Sequence, residues 1–383
     1  MSANLFTTAA TVQATCERGL APYLAAELTA RGFPPRREHK TGVEIAATLS
    51  DCARLCLQSR VAYSFLYQVL NFRANNADEL YRAAAKYPWE DALLPDVEIT
   101  LTSRVQNDSI TDTRYPTLKL KDAIVDRLRQ AHGRRPNSNG EKNGAVVHLN
   151  WQDDQAWIFI NAAGQKLSDR GYRKIPGRAP VRETLAAAIV TATGYDGSQP
   201  LIIPMGGSGA LAIEAALIAR RAAPGLLRDN YGFKHLKNFS PDDYRQWRKD
   251  LAKAKTGGAV APIILGDIDE EAVRAARQNA KTAGVDGLLK FYTGDFRETP
   301  YIGESGGEGG IIIVNPPYDE RMGANAALYK SIGDWLKQKC KGNTAYVFTG
   351  NKELAKKIGL HAERRFEFFN AQIDCRLLKF SLY

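Results

Sequence analysis

Several patterns that would point to a function are missing from this sequence. Its five cysteines include no Cys-x-x-Cys pair, and no group of histidines lies near them, which argues against a disulfide framework and against structural zinc. No apolar run is long enough to span a membrane. The first residues lack the basic start and long apolar run of a signal peptide, so we expect a cytoplasmic protein. We expect Cys52 and Cys56, one helical turn apart, to be buried thiols rather than ligands.

Acidic residues are outnumbered by basic ones. Lys and Arg number 52 against 42 Asp and Glu, which gives a formal net charge of +10. Clustered cations gain affinity for a polyanion by releasing counterions from its phosphates, so this charge favours a nucleic-acid partner. The alternative is a basic soluble protein without such a partner. The 383 residues are enough for two or three compact units, and 44% hydrophobic residues suit a globular fold.

The first part of the chain alternates between short strand and helix patterns. Strands are predicted at residues 6–15, 42–49 and 69–74, and helices at residues 20–31 and 51–65. Ser50 is a suitable N-cap for the second helix. This order predicts a small α+β unit of the ferredoxin-like kind, which we assign to residues 1–68.

A second α+β segment follows, and we assign it to residues 69–165. Its predicted elements are a strand at 98–105, a helix at 118–132 and a hairpin of strands at 145–151 and 156–161.

From about residue 180 the pattern changes to a regular alternation of helices and strands. Helices are predicted at 184–193, 210–221, Glu270–Ala283 and 325–339, and strands at 201–205, 262–266, Leu289–Thr293, Ile311–Val314, 345–348, 362–370 and 373–382. Such alternation predicts an α/β, doubly wound and mostly parallel sheet with its ligand at the carboxyl ends of the strands. The closing pair of strands predicts an antiparallel edge strand. Residues 222–260 do not fit this alternation; they predict an amphipathic helix, and we assign them no function.

A glycine-rich turn, Gly206-Gly207-Ser208-Gly209, joins a predicted strand to a predicted helix. Glycines allow a ligand to approach the backbone, and a helix N-terminus offers free N–H groups. The pattern is weakly specific, because such turns also bind NAD or FAD or bind nothing. A Gly-Lys-Ser/Thr sequence is missing here, which excludes a Walker phosphate loop.

Acidic residues follow the next two strands. Asp267 is placed to accept both ribose hydroxyls of a bound nucleoside, whereas Asp269 fits better as the cap of the following helix. Asp295 is placed to accept a hydrogen bond from an adenine amino group, with Phe296 packing near the ring. The alternative for Asp295 is an acid in a turn.

The most specific motif is Asn315-Pro316-Pro317-Tyr318, directly after the apolar strand Ile311–Val314. The prolines restrict the backbone so that polar groups point away from the sheet edge. The Asn315 side-chain oxygen and the Pro316 carbonyl can accept both hydrogens of an exocyclic amine on a base, which frees the nitrogen lone pair to attack a methyl group. Tyr318 can stack on the base. The alternative is a proline-rich turn.

Basic residues cluster in two places. One cluster is Arg127, Arg129, Arg134 and Arg135, and the other is Lys166, Arg170, Arg173, Lys174, Arg178 and Arg182. Their density favours contacts with a phosphate backbone over an ordinary solvated surface.

These motifs together resemble a known family. Asn315-Pro316-Pro317-Tyr318, the segment from Leu118 to Asp126, Arg170-Gly171-Tyr172-Arg173 and the segment from Ala179 to Ala188 look like the bacterial 23S ribosomal RNA guanine-N2-methyltransferases of the RlmL type. The resemblance covers nearly the whole chain. It implies that residues 69–165 are a THUMP RNA-binding domain and that residues 166–383 are a class I methyltransferase domain with a seven-stranded sheet, of which residues 166–183 are a basic connector.

The same resemblance implies the cofactor, the partner and the site. S-adenosylmethionine is the expected methyl donor, large-subunit ribosomal RNA the expected partner, and no metal is expected. The cofactor-binding residues would be Pro204, Gly207, Ser208, Gly209, Asp267, Ile268, Asp295, Phe296, Glu183 and Thr184. The catalytic residues would be Asn315, Pro316, Pro317 and Tyr318. The RNA-binding residues would be Lys119, Lys121, Arg127, Arg134, Arg135, Arg170, Arg173 and Lys174.

One segment departs from the family pattern. Ile203, Gly206 and Ala210 stand where the family has an acid, a cysteine and a threonine. The loss of the acid would weaken cofactor binding by about 10- to 100-fold if it removes one charge-assisted hydrogen bond. The alternatives therefore include a non-catalytic RNA-binding assembly factor. Methylation of transfer RNA stays open too, and methylation of adenine or of a protein glutamine is less favoured because the front half predicts RNA binding.

Overall fold

The computed structural model describes residues 4–108, 110–112, 114–133, 143–177, 181–300, 309–318 and 323–383. The chain divides into two compact units. Unit 1 comprises Met1–Cys16, Ala21–Leu167 and Arg228–Asp250, and unit 2 comprises Glu17–Leu20, Ser168–Leu227 and Leu251–Tyr383. Arg228–Asp250 thus counts with unit 1, although the sequence pattern places it inside the methyltransferase half. The predicted domain boundaries otherwise stay predictions.

Unit 1 is built on a seven-stranded sheet. Its elements before residue 168 are β1 (Ala10–Thr15), α1 (Ala21–Thr29), β2 (Arg37–His39), β3 (Gly42–Ala47), α2 (Leu49–Gln58), β4 (Ser64–Arg73), α3 (Ala77–Ala85), β5 (Ile99–Gln106), α4 (Arg114–His132), β6 (Ala145–Gln152) and β7 (Gln155–Asn161). The strand order is β2-β3-β1-β4-β7-β6-β5. Neighbours are antiparallel except for the parallel pair of β5 and β6.

Two predictions for unit 1 are wrong in detail. The helix predicted at 51–65 is α2, which begins earlier, with Thr48 rather than Ser50 as N-cap, and ends at Gln58. The last two residues of the predicted helix, Ser64 and Phe65, begin β4 instead, which pairs with β1 and β7 in the middle of the sheet. Helix α3 was not predicted, although Asn76 caps it by accepting a hydrogen bond from the Glu79 backbone.

Unit 2 is also built on a seven-stranded sheet. The elements after residue 168 are α5 (Glu183–Ala192), β8 (Leu201–Ile203), α6 (Ala210–Ala219), α7 (Pro241–Lys253), β9 (Ile263–Asp267), α8 (Glu270–Ala283), β10 (Leu289–Thr293), β11 (Ile311–Val314), α9 (Ala326–Lys339), β12 (Thr344–Thr349), α10 (Lys352–Lys356), β13 (Arg364–Asn370) and β14 (Ile373–Ser381). All belong to unit 2 except α7, which lies mostly in the unit 1 segment Arg228–Asp250. The strand order is β10-β9-β8-β11-β12-β14-β13. The predicted α/β sheet is confirmed. Its antiparallel strand, β14, lies one position inside the edge, because it pairs with both β12 and β13.

The strand order indicates where on the unit 2 sheet a ligand can bind. From β8 the chain crosses to β9 and β10 on one side and later to β11 and β12 on the other. Strands β8, β9, β10 and β11 run parallel to one another, so their carboxyl ends meet at one edge. Side chains on β8 and β11 are fully buried and fix this edge, as for Ile203, Ile312 and Val314. A reversal of strand order of this kind opens a crevice for ligands.

The described part of the chain contains no helix long and apolar enough to cross a membrane. All five cysteines are buried free thiols, which confirms the interpretation of Cys52 and Cys56 as buried. Burial raises the pKa of the Cys340 thiol to about 12 and that of Cys52 well above its usual range.

Candidate active site

A cavity of about 860 Å³ lies at the carboxyl edge of the unit 2 sheet. Its lining includes most of the predicted site residues, namely Pro204, Gly207, Ser208, Asp267, Ile268, Asp295, Phe296, Asn315, Pro316, Pro317 and Tyr318. The structure therefore brings the glycine turn, both strand-end acids and the Asn-Pro-Pro-Tyr motif to one place. Glu183, Thr184 and Gly209 are outside this lining.

The glycine turn leaves β8 and starts α6. Gly207 and Gly209 have φ angles of 52° and 93°, which favour glycine, and Gly209 is the N-cap residue of α6. A Cβ on Gly209 would lie 3.0 Å from the Cβ of Ala276, so a side chain there would also be crowded by α8. The Gly206 amide donates to the Gly266 carbonyl at 2.8 Å, which fixes the turn against β9. The turn thus exposes backbone to the cavity, as a nucleotide-like ligand requires.

Asp267 is held in place by two backbone amides. Its Oδ2 accepts from the Gly207 amide at 2.9 Å, and its Oδ1 accepts from the Asp269 amide at 3.0 Å. Each carboxylate oxygen keeps further lone-pair capacity, so the fixed carboxylate can still accept two hydroxyl groups. Asp269 instead caps α8 by accepting from the Glu271 amide at 2.9 Å, as the sequence predicts. The ribose role of Asp267 stays a prediction that this geometry suits.

Asp295 has a partner that the sequence did not indicate. Its carboxylate accepts from the Arg297 side chain at 2.8 and 2.6 Å and from the Arg297 amide at 2.8 Å. This guanidinium holds the pKa of Asp295 below its usual range. Phe296 is buried and meets Trp335 edge-on, with ring centroids 5.4 Å apart. Next to the fixed Asp267, the side chain of Ile268 is 74% exposed and lines the cavity, which suits an apolar ring of a ligand.

The corner after β11 carries a buried oxygen without a partner. Asn315 Oδ1 is buried, and no hydrogen bond reaches it. The corner around it is fixed: Tyr329 Oη donates to the Pro317 carbonyl at 3.1 Å, and Tyr318 Oη accepts from Asn370 Nδ2. Burial raises the pKa of Tyr329 to about 12, so its hydroxyl stays a donor at neutral pH. A rigid buried acceptor that lines a cavity is suited to a ligand N–H.

The basic connector, residues 166–183, does not present all its cations to solvent as a phosphate-binding surface would require. Arg170, which was predicted to contact RNA, is buried beside Glu214, with 2.9 Å between Arg170 Nε and Glu214 Oε1. That prediction is wrong, because a side chain 2% exposed cannot reach a phosphate. The Arg173 side chain is 14% exposed and donates to Glu183 Oε1 at 3.0 Å and to the Val181 carbonyl at 2.6 Å; its RNA contact stays a prediction. Lys174 is exposed and stays a candidate.

Glu183 and Thr184, predicted to bind the cofactor, are both buried at the start of α5. The Glu183 carboxylate accepts the Arg173 hydrogen bond instead of lining the cavity. Thr184 Oγ1 is buried without a partner, and its cofactor role stays a prediction.

The other predicted RNA-binding residues belong to α4 or follow it. Lys119 pairs with Asp78 at 2.8 Å, and Arg127 pairs with Glu90. Lys121 is partly exposed. Arg134 and Arg135 lie outside the described residues. Acid partners reduce the positive field of Lys119 and Arg127, and an RNA role for α4 stays a prediction.

Sequence reasoning missed part of the cavity wall. Ile175, Pro176, Gly177 and Met205 line it on one side, and Asn325, Leu328 and Ser331 line it on the other. No motif marks these positions. The described residues also contain no cluster of His, Cys, Asp or Glu that could hold a metal ion.

The departures in the glycine segment have a packing explanation. A Cβ on Gly206 would lie 2.5 Å from Leu265 Cγ, so the neighbouring leucine fills the space that a cysteine side chain would need. Ile203 is fully buried and lies opposite Leu265 in the parallel register of β8 and β9. An acid at 203 would be placed in this apolar layer rather than at the cavity.

The mostly parallel sheet with one inserted antiparallel strand and a nucleoside-sized cavity at its carboxyl edge define a class I methyltransferase fold. A family model described as the RMKL-like methyltransferase domain matches residues 170–379. The chain therefore belongs to this methyltransferase family. Models of the RlmL ferredoxin-like domain and the THUMP domain match residues 11–63 and 74–161. The predicted class of enzyme is confirmed, and S-adenosylmethionine is the methyl donor of that class.

Individual relatives agree with this assignment. The chain is 35% identical over 378 residues to the ribosomal RNA large subunit methyltransferase K/L of Syntrophotalea carbinolica, with 96% of this chain and 53% of that protein covered. It thus spans about half the length of the curated relatives it matches. A solved chain from Listeria monocytogenes, named as a predicted N6-adenine-specific DNA methylase, is 26% identical with a TM-score of 0.87, covering 100% of this chain and 99% of that one.

A further solved structure shares the fold. SMU.472, crystallised in complex with SAH (S-adenosylhomocysteine), is 23% identical with a TM-score of 0.88 and covers 98% of this chain and 99% of its own.

Proposed function

We propose that unit 2 binds S-adenosylmethionine in the 860 Å³ cavity and methylates the N2 amine of a guanosine in large-subunit ribosomal RNA. The observation that carries the proposal is the buried, unpartnered Asn315 Oδ1 in the same cavity as the glycine turn and Asp267. A buried acceptor without a partner is costly, and a substrate N–H would remove that cost. The names of the curated relatives support ribosomal RNA as the substrate.

The chain's residues fit the proposed cofactor. The glycine turn and the α6 N-terminus would hold its methionine end, and the Asp267 carboxylate would hold the ribose. The Asp295 carboxylate, shared with Arg297, would accept a hydrogen bond from the adenine amine. The cofactor supplies an electrophilic methyl group on a sulfonium sulfur.

The chemistry on the substrate side is positioning. Asn315 Oδ1 and the Pro316 carbonyl accept the two hydrogens of the exocyclic amine and aim its lone pair at the methyl group. Tyr318 stacks on the base and is held by Asn370. With the cofactor bound, the nitrogen would form its N–C bond as the cofactor's S–C bond breaks, and the extra proton would leave the nitrogen for solvent. Neither a metal nor a strong base is required, since orientation and local electrostatics lower the barrier. The base has to leave its stack to reach this corner.

The test is a methyl-transfer assay with labelled S-adenosylmethionine on three substrates: a large-subunit rRNA transcript, a tRNA pool and duplex DNA. Mass spectrometry of the digested product should show N2-methylguanosine from rRNA alone. N2-methylguanosine from tRNA would assign the chain to the tRNA alternative. N6-methyl-2′-deoxyadenosine from DNA would support the activity named for the Listeria monocytogenes protein. S-adenosylmethionine binding without transfer to any substrate would support a non-catalytic RNA-binding factor.

A further inference from the structure

Residues 170–177, here called the strap, lead from the start of the unit 2 segment Ser168–Leu227 to the wall of the cavity. The end of the strap, residues 175–177, lines the cavity, and Ile175 is 45% exposed there. The strap has no regular secondary structure, and one backbone hydrogen bond within it joins the Lys174 amide to the Tyr172 carbonyl at 3.0 Å. Side chains from three helices fix the rest of its path.

The first two anchors are carboxylates. Glu214 on α6 is fully buried; it accepts from Tyr172 Oη at 3.0 Å and lies beside Arg170. Glu183 on α5 accepts from Arg173. These contacts explain why Arg170 and Arg173 point inward rather than towards solvent.

The third anchor, Asn279 on α8, is the one next to the cavity. Its Oδ1 accepts from the backbone amides of Lys174 and Ile175 at 2.9 and 3.1 Å. Its Nδ2 donates to the carbonyls of Ile175 and Ser208, each at 3.0 Å. The side chain is completely buried, and these four bonds use its full hydrogen-bonding capacity.

One amide thus ties the strap to the glycine turn. Ser208 belongs to that turn, and a Cβ on Gly177 would be only 3.5 Å from Ser208 Cβ, so the strap lies directly against it. The buried face of α8 is otherwise Val273 and alanines. The four hydrogen bonds to backbone groups explain why a polar asparagine lies in this apolar face.

We infer that Asn279 is a positioning residue for cofactor binding: it fixes residues 175–177 as a preformed wall of the cofactor half of the cavity. The inference rests on the proposed function for the identity of the ligand. A wall already ordered before binding spares the ligand the entropy cost of ordering it. Without Asn279 the wall would have to order on binding, so cofactor affinity should fall while the transfer step, which depends on the Asn315 corner, should not.

The experiment compares Asn279→Ala with Asn161→Ala in the full chain. Asn161 is a matched control in unit 1: it is buried, accepts from the Ala163 amide at 3.0 Å and donates to the Gly164 carbonyl at 3.0 Å. Asn279→Ala should raise the calorimetric Kd and the KM for S-adenosylmethionine by about tenfold or more, with kcat at saturation within about threefold. Asn161→Ala should leave the Kd within about twofold of wild type. A folded Asn279→Ala protein with wild-type Kd would overturn the inference.

Two further measurements keep the inference testable. Hydrogen exchange of the Ile175 amide needs no ligand; exchange should be slow in wild type and faster in Asn279→Ala, and equal rates would overturn the inference even if S-adenosylmethionine does not bind. Absence of S-adenosylmethionine binding by wild type would instead refute the proposed function. If Asn279→Ala does not fold, Ile175→Ala replaces it. That change leaves the four Asn279 bonds intact and should raise the Kd about three- to tenfold, whereas no change would show that the wall does not contact the ligand.

Discussion

Asn279 and Asn315 differ in how their side chains are hydrogen-bonded, although both serve the same cavity. Asn279 makes four hydrogen bonds to the strap and the glycine turn, whereas Asn315 Oδ1 is buried with none. A satisfied buried amide stabilises the protein, and an unsatisfied one costs about 1–3 kcal/mol. We therefore interpret the wall held by Asn279 as scaffold and the corner that carries Asn315 as the proposed binding site of the substrate base.

The largest effect expected from this contrast is on Asn315. Asn315→Ala should lower kcat by about 10²- to 10³-fold, since it removes an oxygen that orients the amine in the transition state. The Kd for S-adenosylmethionine should stay within about twofold, as measured by calorimetry. Thermal unfolding should not shift downward, because the lost oxygen had no partner to lose.

Asn279→Ala should lower the stability of the protein, in contrast to Asn315→Ala. Asn279→Ala removes the partner of the Ile175 amide and of the Ile175 and Ser208 carbonyls, while the Lys174 amide keeps its bond to the Tyr172 carbonyl. Its free energy of unfolding should therefore fall by about 1–3 kcal/mol in urea titrations. Equal stability losses in the two alanine variants, or near-wild-type kcat in Asn315→Ala, would show that the two asparagines do not have different roles.

The second largest effect concerns the affinity for S-adenosylmethionine in the cofactor half of the cavity. Asp267→Asn should weaken S-adenosylmethionine binding by about 10- to 100-fold, because the proposed bonds to the ribose are charge-assisted. Isothermal titration calorimetry measures the Kd for S-adenosylmethionine. The control is Asp269→Asn, which keeps an N-cap acceptor for α8 and should change the Kd less than threefold. Similar losses in both variants would remove the distinction drawn between the two acids.

A smaller effect tests whether Tyr318 is held in place for the base. Asn370→Ala and Tyr318→Phe each remove the hydrogen bond between these side chains and should raise the KM for RNA about three- to fivefold. The double variant should be no worse than either single one, because all three lack the same contact. Additive losses in steady-state kinetics would show that the two residues act separately.

The smallest effect concerns Lys174, which is the exposed one of the three cations in the strap, residues 170–177. Lys174→Ala should weaken RNA binding about two- to threefold and reduce the slope of log K against log salt by about 1. Lys341→Ala, at an exposed position outside the cavity lining, is the control. An unchanged slope in filter-binding titrations would exclude Lys174 from the phosphate contacts.

Local signals account for what the sequence predicted well. Helix α8 has its predicted bounds because Asp269 caps its start and Gly284 adopts the left-handed conformation after its end. Strands β10 and β11 also have their predicted bounds. The site motifs were found because each follows a strand end, where the parallel topology collects ligand-binding residues.

Tertiary contacts account for the features that the sequence analysis missed. The inward direction of Arg170 depends on Glu214, a single acid in the otherwise apolar helix α6. The membership of Arg228–Asp250 in unit 1 follows from contacts such as the ring of Phe239 against Phe6 and the hydrogen bond from the Phe233 amide to the Ala162 carbonyl, which no local pattern encodes. Asn279 did leave a signal, a polar residue at helical spacing among Ala276, Ala280 and Ala283, and a search for polar residues in apolar stripes would have found it.

The central claim is that Asn315 Oδ1 accepts a hydrogen of the base amine, and a crystal structure of the chain with SAH and a short guanosine-containing RNA tests it most directly. We expect the guanine N2 within about 2.7–3.2 Å of Asn315 Oδ1, on the side facing the cofactor sulfur. A bound base whose amine points away from Asn315, with Oδ1 still without a partner, would contradict the claim.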